Sequence, residues 1–516
     1  MSRTANSIKN IKYNYIFQTV SLLAAFLSRR VFTRILTAEY LGLNGTFSSI
    51  LSMLSLAELG IGTAITYSLY QPLAEGDREK IVSLMALYRK AYWVIGLVVA
   101  VLGLAVTPFL GVIIADLPGI PRIQLIYLLF VLDTALSYFF IYKQSLISAD
   151  QKQYIVSAYQ QCGKIVLYIL QILFLWLTRS YFAYLGLKII STVCINWLIS
   201  HRANCMYPWL KETKVNPLDA ETKKSIGRNT IAMISHKIGG VVVFGTDNLL
   251  MSYFSGVVSV ALYSNYTLIT GGLNTIYSTL FGSITASIGN LGAADADPKH
   301  KETVFNRINF IGSWIYGFSA VCLIALFNPF IQLWVGGDYL LSQTLVVIIA
   351  VNFYLTGMRQ AALTFRSAFG LYWYDRYKPL AESAINLTAS IFLARRIGIE
   401  GILIGTGIST ITTCFWVEPY MLYKYGFGTS CRPFFVKYFE NTFVTVVAGY
   451  AMWHLCALLP DGGIIEFALK TVICVVGSNL IFLCVYCRRD EFKYFCRLFC
   501  TLIKGKLVDY GKKRKQ

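Results

Sequence analysis

The sequence predicts an all-α polytopic membrane protein with about fourteen transmembrane helices, and three observations carry that prediction. Of 516 residues, 56% are hydrophobic and only 14% charged, with mean hydropathy +0.57, whereas soluble domains carry about 25% charged residues. The apolar residues fall into repeated runs of about 20, long enough at about 1.5 Å per residue to cross a hydrocarbon core about 30 Å thick. The short alternating segments that build a membrane barrel are absent from the sequence.

The spans are expected at 13–36, 45–70, 89–114, 123–147, 158–178, 182–201, 229–253, 257–290, 307–328, 340–363, 379–397, 400–422, 434–459 and 463–487. Residues 1–13 are polar and basic and lead into the first apolar run without a small-residue cleavage site, so that run is expected to remain as an anchor. The eighth span is long enough to break near Gly271 and Gly272. Residues 202–228 form the longest connection on the inner side. They divide an N-terminal lobe at 1–201 from a C-terminal lobe at 229–422, followed by helices 13 and 14 at 423–487. The tail, 488–516, alternates apolar and basic residues at helical spacing and is expected to lie on an anionic leaflet.

Basic residues mark alternate connections: Arg78, Lys80, Arg89 and Lys90, then Lys143, Lys152 and Lys164, then the 202–228 connection. By the positive-inside rule these face the cytoplasm, as do both termini; Arg395 and Arg396 at an outward end are the exception. A formal charge of +20 spread between apolar runs reads as topology and headgroup contact, with no nucleic-acid partner. The 12 cysteines lie mostly in apolar runs as small hydrophobes; Cys484, Cys487, Cys496 and Cys500 lack a turn that could hold a tetrahedral metal. No HExxH, GxxxxGK[ST] or GxSxG motif occurs, so no catalytic residue, cofactor or metal site is expected and the chain is not read as an enzyme. Gly405-Thr406-Gly407 reads as a surface for close helix approach rather than a phosphate loop.

What remains is charge inside helices. Each arginine at a bilayer centre costs roughly 2.5 to 3.5 kcal/mol on insertion scales unless it meets water, a partner or an anion. Arg29 and Arg30 lie about two turns inside the outward end of the first span and are candidates, with Lys237, for a cationic pathway. Arg34, at that end, is a snorkelling or gating residue. Lys237 and Asp247 share a helix but lie roughly 15 Å apart, so each needs another partner. Asp247 is placed to pair with Arg34 or Arg30. Glu58 and Asp133, the other deep acids, either satisfy a cation or couple H⁺ or Na⁺. A weak echo of residues 33–42 in 246–256 is either chance or a parallel repeat about an axis along the membrane normal.

The run Arg30-Val31-Phe32-Thr33-Arg34-Ile35-Leu36, then Glu39-Tyr40-Leu41-Gly42-Leu43-Asn44-Gly45, Leu54-Ser55-Leu56-Ala57-Glu58-Leu59-Gly60-Ile61-Gly62 and Leu69-Tyr70-Gln71-Pro72-Leu73-Ala74, resembles the N-terminal region of Wzx-type polysaccharide flippases of the multidrug/oligosaccharidyl-lipid/polysaccharide exporter superfamily. Thr246-Asp247-Asn248 with Leu262-Tyr263-Ser264-Asn265-Tyr266 resembles the matching later segment. The resemblance implies two six-helix lobes around a central cavity, two further helices and alternating access. It also implies the substrate, an oligosaccharide repeat unit on undecaprenyl diphosphate that crosses the bacterial cytoplasmic membrane. A polymerase and other polysaccharide-assembly proteins are the expected partners. Fixed cations suit a diphosphate, and a drug-cation antiporter of the same superfamily would want an acidic cavity instead. A peptidoglycan-precursor flippase shares the diphosphate head and stays open, whereas a membrane-embedded polymerase would need longer outward loops.

Overall fold

A computed structural model describes the backbone of all residues except 1–2, 59, 115–118, 213–214, 294–296, 461 and 514–516. It describes the side chains of all but these and 3–15, 211–212, 221, 225, 228–229, 231–233, 235–236, 244, 286, 293 and 502–513. The terminal charges at Arg3, Lys9 and Lys12 and at Lys504 to Lys515 therefore lie outside the described side chains.

The described residues are helical with no strand among them. In order they form α1 (Arg3–Ile35), α2 (Ala38–Leu54), α3 (Ile61–Glu75), α4 (Arg78–Val106), α5 (Leu110–Ile113), α6 (Ile123–Ala149), α7 (Gln153–Thr178), α8 (Tyr181–Met206) and α9 (Trp209–Glu212). There follow α10 (Ala220–Ala293), α11 (Pro298–Trp334), α12 (Gln343–Met358), α13 (Gln360–Ala368), α14 (Lys378–Ser409), α15 (Phe415–Met421), α16 (Arg432–Ala457), α17 (Ile464–Tyr486) and α18 (Asp490–Lys513). Each expected span falls on helix, and the chain is an all-α polytopic membrane protein. Among the described residues eight helices are long and apolar enough to cross a membrane, or nine if the bent pair α2 and α3 is one span. Helix α10 counts once in that tally but holds two expected spans. The expected spans on α1, α14 to α15 and α16 are less uniformly apolar.

Three breaks position the polar residues. The second span is not one helix: a 3₁₀ turn at Ser55–Glu58 and a left-handed Gly60 (φ 77°) separate α2 from α3, which are bent by 50°. Helix α10 turns at Gly256 (φ 76°, ψ 168°), a conformation open to glycine. The expected break at Gly271 and Gly272 does not occur; both are helical, because glycine permits a break without requiring one. Helix α14 folds back at Ile397 and Gly398. Its halves then pack so closely that a Cβ on Gly405 would lie 2.3 Å from Ser390 Oγ, which is the close approach expected of the Gly405-Thr406-Gly407 run.

By contact the chain forms two compact units, 1–279 with 376–409, and 280–375 with 410–516. In the first, α1 packs on α7, α4 on α6, and α6 and α7 on α8, around a core that includes Leu69, Leu84, Val99, Leu146, Ile147 and Ala203. In the second, α11 packs on α12, α16 and α17, with Val321, Ala448, Cys474 and Phe482 in its core. Two π-helical turns, Thr410–Cys414 and Leu422–Phe427, bracket α15. Helix α18 follows the expected amphipathic pattern: Phe492 stacks on Trp314 and Arg307 sits over Tyr494, while Phe499 stays exposed.

Candidate functional site

Among the described residues of the first unit, the deep acids and the cations singled out from the sequence fall in separate local arrangements. On α1, Arg29 is half-buried and donates from Nη1 to Ser264 Oγ (2.8 Å) and Asn265 Oδ1 (3.3 Å) of α10. It also lies within electrostatic reach of Tyr168 and Tyr184. Tyr168 lines a cavity of about 310 Å³ shared by α1, α7 and α10, whose polar wall includes Gln18, Ser21, Gln161, Lys164 and Thr267. Arg30 and Arg34 are exposed and do not join this group. Of the two arginines expected on the cationic pathway, Arg29 alone joins this group, because consecutive residues on a helix point about 100° apart.

Glu58, at the end of the 3₁₀ turn, accepts a hydrogen bond from Tyr92 Oη at 2.5 Å and one from Lys237 Nζ at 3.2 Å. The break before α3 makes this possible. A Cβ on Gly62 would lie 2.0 Å from Tyr92 Oη and 2.8 Å from Glu58 Oε1, so the glycine leaves room for the pair. Lys237, read from sequence as part of the cationic pathway, is thus partnered by a residue read as a gating acid.

Asp133 on α6 meets Lys188 Nζ of α8 at 3.3 Å, and Lys188 also sits 4.4 Å from the Phe130 ring centroid. Asp133 Oδ1 is buried without a hydrogen bond.

Asp247 is buried on α10 and accepts from Thr406 Oγ1 of α14, at 3.3 Å to Oδ1. Asn386, also buried, donates from Nδ2 to the same Thr406 hydroxyl at 3.0 Å, and its Oδ1 has no hydrogen-bond partner. No ion pair joins Asp247 to Arg34 or Arg30 among the described residues; the Thr406 hydroxyl takes the place of the expected arginine. The fold-back of α14 brings these groups to α10, while Arg30 and Arg34 face away on an exposed surface.

The second unit holds two buried pairs. Arg359, between α12 and α13, grips Glu418 of α15 with both prongs of its guanidinium, Nε at 3.0 Å and Nη2 at 2.7 Å. Arg366 of α13 bonds Asp375. Among the described residues no group of three His, Cys, Asp or Glu side chains is placed to hold a metal.

Lys164, Lys188, Tyr92, Thr406 and Arg359 are not among the sequence candidates. Lys188 and Arg359 carry the signal that singled out Lys237, a charge inside an apolar run. Lys164 reads from the sequence as part of the inner topology signal, and hydroxyls such as those of Tyr92 and Thr406 are too common in helices to stand out.

No family model matches the chain, and no curated protein sequence matches it. Solved structures do. The lipid II flippase MurJ in an inward closed conformation superposes with a TM-score of 0.63 at 15% identity, over 92% of this chain and 98% of that one. An inward-facing multidrug resistance MATE family transporter of the MOP superfamily gives 0.57 at 13%, over 80% and 98%. The Vibrio cholerae MATE transporter VcmN gives 0.55 at 13%, over 83% and 99%. The likeness is one of fold. It spans nearly the whole of each neighbour, so this chain has the helical architecture of membrane flippases and multidrug transporters.

Proposed function

We propose that the protein is a flippase that carries oligosaccharide repeat units linked to undecaprenyl diphosphate from the cytoplasmic to the outer leaflet of the bacterial cytoplasmic membrane, by alternating access, for surface polysaccharide assembly. The observation that carries the reading is the α1 cation. Arg29 is held within the bilayer-length part of the helix by hydroxyl and amide groups, beside a polar cavity to which Lys164 adds a second positive charge. A planar fork of donors suits phosphate oxygens. The N-terminal run from Arg30 to Ala74, which resembles Wzx-type flippases, supports the same reading.

In this reading residues 1–201 and 229–422 are the two moving lobes, 202–228 is the inner linker, both termini are cytoplasmic, and a polymerase acts on the product. Energy enters through Asp247. Its carboxylate, the Thr406 hydroxyl and the free Asn386 Oδ1 form an oxygen-rich buried group suited to H⁺ or Na⁺. Glu58 and Lys237 act as an exchangeable gate.

The test is an assay of lipid-linked oligosaccharide translocation in proteoliposomes, with depleted cells examined in parallel. Depletion should cause lipid-linked repeat units to accumulate on the inner leaflet, and Arg29→Ala should reduce translocation at normal membrane levels. Translocation of lipid II with no activity on longer oligosaccharide lipids would instead favour a peptidoglycan-precursor flippase, the second reading, which the MurJ likeness supports. Export of an organic cation with no lipid activity would overturn both.

A further inference from the structure

We infer that the inner end of the first unit contains a second anion site, separate from the proposed translocation pathway, that binds a phosphate-bearing headgroup beneath the linker. The site is a cavity of about 240 Å³ where α4, α6 and α8 meet the segment that follows α8. Its polar wall is Arg89 of α4, Tyr142 and Lys143 of α6, and Asn204 of α8; Leu210 and Val215 of the linker close it.

Three features make it a built site rather than a gap. First, two cations from different helices converge on one cavity, and among the described residues no carboxylate lines it. Two nearby acids are engaged elsewhere: Glu79 accepts from Asn216 at 3.0 Å, and Asp150 accepts from Lys152 and Tyr207, each at 2.6 Å. Second, the polar groups are pre-oriented. Lys143 Nζ is held at 2.9 Å from Asn204 Oδ1 and 5.7 Å from the Tyr142 ring centroid. Arg89 lies within electrostatic reach of Tyr142. Third, the linker is tied down over the cavity. The Asn216 backbone N–H donates to Ser83 Oγ at 3.2 Å, and Arg78 lies 5.8 Å from the Trp209 ring centroid.

The chemistry recognised is a phosphate anion beside an apolar shelf formed by α4 and the linker. An ammonium and a guanidinium satisfy several phosphate oxygens, while Tyr142 supplies a hydroxyl. An anionic phospholipid headgroup and free inorganic phosphate share this chemistry, and a ligand at either would join α4, α6, α8 and the linker.

The experiment uses the full chain in nanodiscs of equal parts phosphatidylglycerol and phosphatidylcholine, with bound lipid read by native mass spectrometry, and a parallel titration with inorganic phosphate in phosphatidylcholine alone. Retained phosphatidylglycerol is expected, with affinity reduced roughly thirtyfold in the double variant Arg89→Gln, Lys143→Gln, because each cation near a phosphate surface contributes a comparable share. Lys90→Gln, an exposed neighbour outside the cavity, should bind as wild type, and Arg89→Lys should retain most binding, which separates loss of the site from loss of folding. Saturable binding of inorganic phosphate with the same dependence on Arg89 and Lys143 would support the site with a soluble ligand. Equal binding of phosphatidylglycerol and phosphate by wild type and double variant would overturn it. Because the readout is binding, its failure leaves the flippase assay untouched, and the reverse holds as well.

Discussion

Glu58 and Asp133 of the first unit meet lysines, whereas Glu418 and Asp375 of the second meet arginines. The difference extends to exposure. The Lys237 and Lys188 side chains are 37% and 35% exposed, and each touches its carboxylate with a single ammonium. Arg359 and Arg366 are 14% and 15% exposed, against carboxylates at 2% and 1%. A lysine is a point charge on a flexible stem and can leave one partner for another; the buried bidentate fork of Arg359 on Glu418 cannot be released without stranding a charge. The first unit thus holds ion pairs that can exchange partners, and the second holds in Arg359–Glu418 a pair that maintains a fixed frame.

The sharpest way to break that contrast is Arg359→Ala. Removing one partner of a buried pair costs about 3 to 5 kcal/mol, so the variant should lose folded protein, read as a lower melting temperature in detergent or reduced membrane levels. Arg359→Lys should recover only part, since the second prong is lost. If Arg359→Ala melts like wild type, the second unit is not held by its forks.

The single reversals Glu58→Lys and Lys237→Glu should abolish translocation yet shift stability by no more than about 1 kcal/mol, the range of solvent-reachable pairs. The double reversal should restore transport, and a double variant as inactive as its parents would remove the gate. Asp247→Asn keeps an acceptor for Thr406, so it should fold normally while losing the dependence of transport on an H⁺ or Na⁺ gradient. An unchanged gradient dependence would shift coupling to Asp133.

The smallest effect belongs to Glu491, on α18 beyond the spans. Burial pushes the Glu491 carboxyl up, but Lys437 at 2.7 Å, its own backbone and Arg489 hold it below the usual carboxylate range on balance. A carboxyl lowered by folding stabilises above its unfolded pKa, and that stability is lost as pH falls through the folded value. Glu491→Gln should therefore cost less than about 1 kcal/mol at neutral pH and flatten the acid limb of a melting-temperature profile.

The spans were legible because a bilayer demands long apolar runs, and the fourteen expected segments all fall on helix. The breaks were less so. Gly271 and Gly272 invited a kink that is absent, while the turn at Gly256 fell in the short gap already expected between two spans. The bend at Ser55–Glu58 crosses a run that reads as continuous. Which polar groups need partners was also visible, but who supplies them was not: Glu58 and Lys237 lie 179 residues apart, and Asp247 took a hydroxyl from α14 where an arginine of α1 was expected. Arg359 carries the same signal as Lys237, but its partner Glu418 lies 59 residues further along the chain.

The two wide turns around α15 set a phase. A π turn takes up one extra residue without rotating the helix beyond it, and each residue of an α-helix advances the chain by about 100° and 1.5 Å. If Thr410–Cys414 tightened to α geometry, Glu418 would swing by that angle away from Arg359. The fork therefore reads helical phase as well as charge, and a one-residue deletion within Thr410–Cys414 should spare the pair where a one-residue insertion after it would not.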